Sequence, residues 1–242
     1  MLRILDLFCG AGLVADGLRL AGFNVVGVDL YPQPRYPGPF LQADATCLDV
    51  RFLAAFDAVW ASPPCLRDTA MRHAPGAKGE AHPELIPATR RLLRASGLPY
   101  VIENVEGAAL VDPVVLCGSM FGLGVTDRGA RYHLQRHRKF ETNWPLSAPG
   151  PCAHAKPVVG VYGGHARRRA ASAGGRGTRD EWEGGHQRTM ADAMGLRRSL
   201  TCAEISQGIP PAYAAWVGGQ LAEHVWLQRH ERDFITKHGG WS

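Results

Sequence analysis

Four short apolar segments near the start of the chain alternate with longer stretches, and each segment ends beside a residue that can bind or react. The segments span residues 2–6, 25–29, 56–61 and 99–103, and a helical pattern over residues 83–95 separates the last two. Strands that alternate with helices predict an α/β fold with a mostly parallel sheet and helices on both faces. Ligands bind such sheets at the carboxyl ends of the strands, so the residues there are the first candidates for a functional site.

Composition indicates a soluble, globular protein. The chain of 242 residues has the length of one α/β domain with an insertion. Hydrophobic residues make up 45% of the chain, and no apolar run is long enough to cross a bilayer. The residues before the first strand do not have the pattern of a secretory signal, so we expect none. Six scattered cysteines without a CxxC pair argue against a disulfide framework, and the net charge of +5 favours polyanionic partners. We expect a cytoplasmic monomer without a membrane partner.

A change of composition after about residue 141 predicts three parts. Residues 1–141 contain the alternating pattern. Residues 142–200 are rich in Pro, Gly, Arg and His, and we expect them to form a small, loop-rich, basic and partly mobile region. Apolar residues return in residues 201–242, where an amphipathic helix is predicted over residues 211–234 and is expected to pack back onto the sheet.

A glycine turn after the first strand is the first candidate binding element. Gly10 and Gly12 lie where the strand meets a predicted helix, so that the backbone can approach a ligand closely. Asp29 ends the second strand about 20 residues beyond the first glycine, where a ribose diol is often held. Asp44 is a third acid near a strand end and could accept from an adenine amino group. The spacing alone also allows glycines that only shorten a turn and acids that are solvated.

A diproline turn after the third strand carries a candidate nucleophile. The sequence Ser-Pro-Pro-Cys at residues 62–65 fixes φ at two successive residues, which holds Cys65 on a stiff loop. Glu103 and Asn104 close the next strand, so Glu103 lies beside the Cys65 loop if the two strands are neighbours. Taken singly, Cys65 is typical of a buried structural cysteine and Glu103 of a solvated strand end. Together they favour covalent catalysis.

Four motifs, in order, resemble those of one enzyme family. They are Asp-Leu-Phe-Cys-Gly-Ala-Gly at residues 6–12, Pro-Pro-Cys at 63–65, Glu-Asn-Val at 103–105 and Leu-Gln-Arg-His-Arg-Lys-Phe-Glu at 134–141. They look like the cofactor, nucleophile, glutamate and arginine motifs of the DNA cytosine-C5 methyltransferases, and the chain resembles a small, phage-like member. The resemblance implies a Rossmann-like fold that binds S-adenosylmethionine, with residues 142–200 as a target-recognition insertion.

The resemblance also implies a role for each motif. A Cys65 thiolate adds to C6 of cytosine, because C5 is too weak a nucleophile until the ring becomes enamine-like. Protonated Glu103 binds ring nitrogen 3, and Arg136 or Arg138 binds the base carbonyl and a nearby phosphate. Asn104 is expected at the target base, which must leave the stack of double-stranded DNA to be reached. The residues expected at the cofactor are Phe8, Cys9, Gly10, Gly12, Asp29, Asp44 and Pro63.

The chain departs from the family pattern beside the nucleophile. The family has Gln after Pro-Pro-Cys, whereas this chain has Leu66 followed by Arg67. A guanidinium two residues from the nucleophile could pair with a carboxylate on the transferred carbon, as in carboxy-S-adenosylmethionine, which would make the enzyme a carboxymethyltransferase. The alternative is that Arg67 faces a DNA phosphate or solvent.

The basic region contains the expected DNA contacts. A glycine-rich stretch over residues 165–188 suits a phosphate backbone. Its expected contact residues are Arg167, Arg168, Arg169 and Arg176. Cys152, His154 and His165 are poorly spaced as metal ligands, and we predict no metal centre. Two other functions stay open, an RNA cytosine methyltransferase and a non-catalytic DNA-binding protein that retains the cofactor fold.

Overall fold

The computed structural model describes residues 1–64, 85–169 and 182–238. The strands are β1 (Arg3–Leu7), β2 (Asn24–Asp29), β3 (Phe40–Gln42), β4 (Ala58–Ala61), β5 (Tyr100–Asn104), β6 (Val114–Leu116), β7 (Gly124–Asp127), β8 (Ala130–Leu134), β9 (Arg138–Thr142), β10 (Val158–Tyr162) and β11 (His165–Arg169). The helices are α1 (Leu13–Leu20), α2 (Val50–Leu53), α3 (Leu85–Ser96), α4 (Gly185–Met194), α5 (Cys202–Gln207) and α6 (Pro211–His238). Short 3-10 helices span Ala45–Cys47 and Gly118–Phe121.

Seven strands form the central sheet in the order β3-β2-β1-β4-β5-β9-β6. The first five run parallel to one another, and β9 lies antiparallel to both β5 and β6. Both β4 and β5 are buried along their whole length, as expected for parallel strands covered on two faces. The mostly parallel α/β sheet predicted from the sequence is therefore confirmed.

Side chains of β1 alternate between two layers of the core. Ile4 packs in the layer that contains α1 and α6, whereas Leu5 and Leu7 pack in the layer beneath α2 and α3. The α1 and α6 helices approach so closely that a Cβ added at Gly17 would lie 2.2 Å from the Pro211 carbonyl oxygen. Only glycine fits there, so α1 and α6 pack in direct contact, and α6 also packs onto the sheet through Tyr213 and Phe140. None of the helices in the described ranges combines the length and apolar character needed to cross a membrane.

A second sheet of four strands has the order β11-β10-β8-β7 and packs against α4 and α5. Residues 165–169 and 185–194 are a strand and a helix, so the expectation of a loop-rich region is wrong for these residues. The boundary expected after residue 141 also does not separate the two sheets, because β7 and β8 precede it. Residues 170–181 of the glycine-rich stretch lie outside the described residues.

Arg168 explains why the arginine-rich segment forms a strand. Its guanidinium pairs with Asp127 on β7 and lies 4.3 Å from the centre of the Trp182 ring and 5.5 Å from that of Tyr132. An arginine stacked on aromatic rings can be half-buried because its stem is apolar and its charge is paired. Ala166, two residues earlier, is buried on the same side of β11. The composition of this segment suggested a loop, whereas the structure pairs it with β10 as a strand.

A buried ion pair fastens α3 to β9. The Arg90 guanidinium donates two hydrogen bonds of 2.7 Å to the Glu141 carboxylate, which also accepts from the Val111 backbone N–H at 2.9 Å. The Glu141 side chain is only 2% exposed. Removing one partner of such a pair leaves an uncompensated buried charge.

We therefore expect Arg90→Met to lower the free energy of unfolding by about 3–5 kcal/mol. The matched control is Arg91→Met, because Arg91 is the next residue of the same helix and is exposed. Urea unfolding of the two variants and the parent chain measures the difference. Equal losses in the two variants would contradict the structural role of the Arg90–Glu141 pair.

Candidate active site

The carboxyl ends of five parallel strands and the amino end of β9 meet at one edge of the central sheet. Asp44 follows β3, and Asp29 ends β2. Ser62 and Pro63 follow β4, Glu103 lies near the end of β5, and Arg138 begins β9. The β1 strand lies between β2 and β4 and leads into the glycine turn. The topology therefore aligns the sequence motifs side by side along this edge.

Three residues of the glycine turn have positive φ angles. Phe8, Gly10 and Gly12 have φ values of 59°, 48° and 81°. A Cβ added at Gly12 would lie 2.4 Å from Pro37 Cδ, whereas one added at Gly10 would meet no atom within 4 Å. The backbone at Gly10 thus borders open space, as a ligand that approaches the main chain would need.

Asp29 joins the ends of β1 and β2. Its carboxylate accepts hydrogen bonds from the backbone N–H groups of Gly10 at 2.9 Å and Tyr31 at 3.1 Å. A carboxylate has about four acceptor positions, so two remain for a ligand diol. Asp44 is exposed and accepts from the Thr46 hydroxyl at 2.7 Å; the hydrogen bonds from Thr46 hold the pKa of Asp44 below its usual value. It is therefore an ionised acceptor.

Two titratable side chains beneath the glycine turn, those of Cys9 and Asp6, are buried, and burial favours their uncharged forms. Burial raises the pKa of the Cys9 thiol, as do the charges of Asp6 and Asp29, so this cysteine is held as a neutral packing residue. Burial also raises the pKa of Asp6, whose carboxyl group accepts a hydrogen bond from the Tyr36 hydroxyl at 3.5 Å. The pair was not predicted from the sequence, because Tyr36 lies in an irregular segment without a motif.

Arg198 fastens the glycine turn from a distant part of the chain. Its guanidinium donates to Asp16 Oδ2 at 2.7 Å, to the Arg35 carbonyl at 2.8 Å and to the Ala11 carbonyl. These bonds connect α1, the turn before it and the segment that carries Tyr36. No sequence signal marks Arg198, because its three partners are remote along the chain.

The diproline segment begins beside Glu103. The register pairs Ala61 with Ile102, which puts the residues after Ala61 next to Glu103. The Ser62 N–H donates to the Leu7 carbonyl at 3.2 Å, and Asn104 Nδ2 donates to the Pro63 carbonyl at 2.9 Å. The expectation that the two strands are neighbours is therefore confirmed. Cys65 and Arg67 lie outside the described residues, and their roles stay predictions.

Glu103 is a buried acid with partial charge compensation. Its carboxyl group is 3.3 Å from Arg138 Nε and is hydrogen-bonded to Ser62, whose hydroxyl oxygen accepts from Trp60 Nε1 at 3.1 Å. Burial raises the pKa of Glu103, and Arg138, Ser62 and Arg136 offset that effect only in part. The carboxyl group can therefore hold a proton at a higher pH than an exposed glutamic acid.

Arg136 and Arg138 have different surroundings. The Arg136 guanidinium is buried and donates to the carbonyl groups of Val161 at 2.6 Å, Ser206 at 2.6 Å and Gly208 at 2.9 Å. These bonds tie β10 and α5 to the end of β8. Of the two candidates from the arginine motif, Arg138 is the one that pairs with Glu103. The hydrogen bonds of Arg136 favour a structural role and make Arg138 the stronger candidate for contact with the base, and both roles stay predictions.

Three of the four expected DNA-contacting arginines, Arg167, Arg168 and Arg169, lie on β11. Arg167 Nε donates to His165 Nε2, and Arg168 is paired with Asp127 as described above. Phosphate contact by Arg168 would therefore compete with an internal ion pair. The Arg169 side chain and Arg176 lie outside the described residues. Because His165 bonds to Arg167 and Gly163, it does not join Cys152 and His154 as the third ligand considered above.

Comparisons with known proteins support this description of the fold. No protein-family model and no curated protein matches the sequence. The S. pombe Dnmt2 methyltransferase structure is 13% identical over 93% of this chain and 99% of that chain, with a TM-score of 0.61. A structure described as a candidate DNA modification methyltransferase encoded within an E. coli prophage is 14% identical over 92% of this chain and 99% of that chain, with a TM-score of 0.59. The chain therefore has the Rossmann-like fold that these structures share.

Because three carbonyl groups would lose a charged donor, we expect Arg136→Met to lower the free energy of unfolding by about 3 kcal/mol. Arg131→Met is the control, since the Arg131 guanidinium donates a hydrogen bond to one carbonyl group, that of Gly122, from an exposed position. Chemical unfolding followed by circular dichroism measures both. A loss no greater than that of the control would show that Arg136 does not fasten β10 and α5 to the end of β8.

Proposed function

We propose that this protein transfers a methyl group from S-adenosylmethionine to C5 of cytosine in DNA. The observation that supports the proposal most is the buried, partly compensated Glu103 beside Ser62 and Pro63, directly before Cys65 in the chain. The glycine turn and Asp29 lie along the same sheet edge and suit the ribose of this cofactor. When bound there, S-adenosylmethionine supplies an electrophilic methyl group on a sulfonium.

Covalent activation of the base explains why a thiol and an acid are needed together. The Cys65 thiolate forms a bond to C6 of cytosine, the ring electrons move toward N3, and Glu103 donates its proton there. The ring then has enamine character, and C5 would bond to the methyl carbon that S-adenosylmethionine supplies there, while the electron pair of the broken sulfonium–carbon bond would stay on the sulfur of S-adenosylhomocysteine. Loss of the C5 proton to a base restores the C5–C6 double bond, breaks the bond from C6 to Cys65, and returns the N3 proton to Glu103.

Arg138 has two opposed effects on this chemistry. Its charge lowers the pKa of Glu103 and so opposes the protonation that N3 requires. The same guanidinium, 3.3 Å from the acid, is available to a base carbonyl once Glu103 is protonated and neutral. When the base binds, Arg138 would therefore exchange its contact with Glu103 for a hydrogen bond to the base carbonyl.

Access to C5 requires the base to leave the DNA stack. An extruded base is read by hydrogen bonds to its Watson–Crick edge, which Glu103 and Arg138 can supply at the end of the sheet. The net charge of +5 favours contact with phosphates, so binding to duplex DNA is expected to weaken as salt rises.

Substitution of the two reacting residues tests the mechanism. We expect Cys65→Ser to reduce the formation of 5-methylcytosine below detection and to abolish a covalent adduct with DNA that contains 5-fluorocytosine. We expect Glu103→Gln to lower the single-turnover rate by about 10²- to 10⁴-fold, because the amide cannot transfer a proton. Cys47→Ser and Glu223→Gln, both at exposed positions, are the matched controls.

The same assay separates the alternative functions. Duplex DNA and tRNA are each incubated with S-adenosylmethionine or carboxy-S-adenosylmethionine, and the nucleosides are identified by mass spectrometry. Methylated cytosine from tRNA alone would favour an RNA methyltransferase, and carboxymethylcytosine would favour the role considered for Arg67. DNA binding without any modified nucleoside or trapped adduct would favour a non-catalytic binding protein.

The raised pKa of Glu103 predicts the direction of a pH effect. Because the protonated acid is required, the single-turnover rate is expected to fall as pH rises through the pKa of Glu103, which burial holds above its ordinary value. Glu103→Gln has no proton to lose and should lack this alkaline limb. The pH dependence of methyl transfer at saturating DNA measures the effect, and an identical limb in the variant would assign it to another group.

A further inference from the structure

Four potential metal ligands converge beside the beginning of β9. Cys117 lies at the end of β6, His137 lies between β8 and β9, and Cys152 and His154 belong to the segment before β10. One side-chain donor atom from each residue lies within 4.8 Å of the others. Cys117 is buried, whereas Cys152 and His154 are exposed. Three separate segments of the chain therefore contribute to one cluster.

The spacing of the donor atoms matches a tetrahedral zinc site. His137 Nε2 and His154 Nε2 are 3.2 Å apart. Cys117 Sγ lies 3.4 Å from His154 Nε2, and Cys152 Sγ lies 3.5 Å from His137 Nε2. Zinc–nitrogen bonds of about 2.05 Å and zinc–sulfur bonds of about 2.3 Å put neighbouring tetrahedral ligands about 3.3 Å apart for two nitrogens and about 3.6 Å for nitrogen and sulfur.

Neighbouring groups orient the ligands toward a common centre. The Ser119 hydroxyl donates to Cys117 Sγ at 3.2 Å, which would stabilise a thiolate. Glu106 Oε2 faces His137 Nδ1 at 3.8 Å, so the other ring nitrogen of His137 is directed at the cluster. Glu106, His137 and the other three donor atoms thus have the arrangement typical of a carboxylate, a zinc-binding histidine and its metal site.

We propose that Cys117, His137, Cys152 and His154 bind one structural Zn²⁺ ion. Two thiolates and two imidazoles are a donor set that zinc prefers, and the two thiolate charges balance that of the ion. Four protein ligands leave no open position for water or substrate, so the site is structural. On binding, the two thiols release their protons and the histidines coordinate as neutral rings.

The ion would hold the arginine motif against the candidate active site. His137 lies between Arg136 and Arg138, and Arg138 Nη1 donates to the His137 carbonyl at 2.8 Å. Cys152 and His154 belong to a segment without regular secondary structure. Zinc would fasten this segment to β6 and to the connection before β9, and would so stabilise the approach of Arg138 to Glu103.

Metal content and cobalt spectroscopy test the proposal without any assay of activity. The untagged 242-residue chain is expected to contain about one zinc ion by plasma mass spectrometry, and chelation is expected to lower Tm by about 5–10 °C. Co²⁺ added to the stripped chain should give the visible bands of tetrahedral cobalt and a thiolate charge-transfer band. Cys152→Ser and His154→Asn should each bind less zinc and change these bands.

Cys47→Ser and His230→Asn are the matched controls, because they remove the same groups from exposed positions outside the cluster. They should retain zinc and the cobalt spectrum. A purified chain without zinc whose stripped form gives no thiolate–cobalt band would overturn the proposal, as would a Cys152→Ser variant that binds Co²⁺ with an unchanged spectrum. Because no substrate is present, these outcomes are independent of whether the chain methylates DNA.

Discussion

Burial of the Glu103 carboxyl group is the constraint around which the candidate site is arranged. A buried carboxylate is costly unless charges and hydrogen bonds compensate it. Ser62 and Arg138 supply that compensation in part, and the pKa of Glu103 is still raised. The Arg138 contact exists because β9 runs antiparallel to β5, which brings the beginning of β9 to the edge where β5 ends. A parallel β9 would put Arg138 at the opposite end of the sheet.

Local sequence patterns were sufficient for the parallel part of the fold. The segments that end at Asp29, Ala61 and Glu103 are short and apolar, and the strands of a parallel sheet all end at the same edge. Their terminal residues therefore lie along that edge whatever the order of the strands. The glycine turn, Asp29 and Glu103 could be predicted to lie along one edge for this reason alone.

Long-range pairing was not predictable in the same way. The second sheet joins β8 to β10 across more than twenty residues, and the stacking of Arg168 on Trp182 depends on partners far along the chain. Composition favoured a loop because glycine and arginine are common there. The proposed zinc ligands illustrate the same limit: Cys152 and His154 are close in sequence, but Cys117 and His137 become their neighbours only after β6 and β9 pair.

Three successive residues of the arginine motif, Arg136, His137 and Arg138, contact different parts of the molecule. Arg136 binds carbonyl groups of the second sheet and α5, and His137 would bind the proposed metal on the other side. Because these contacts would fix the backbone at Arg136 and His137, little conformational freedom is left for Arg138. The contacts of Arg136 and His137 therefore fix the position of Arg138 relative to Glu103. Because a misplacement of about 1 Å can cost two orders of magnitude in rate, these contacts outside the site matter for the reaction proposed there.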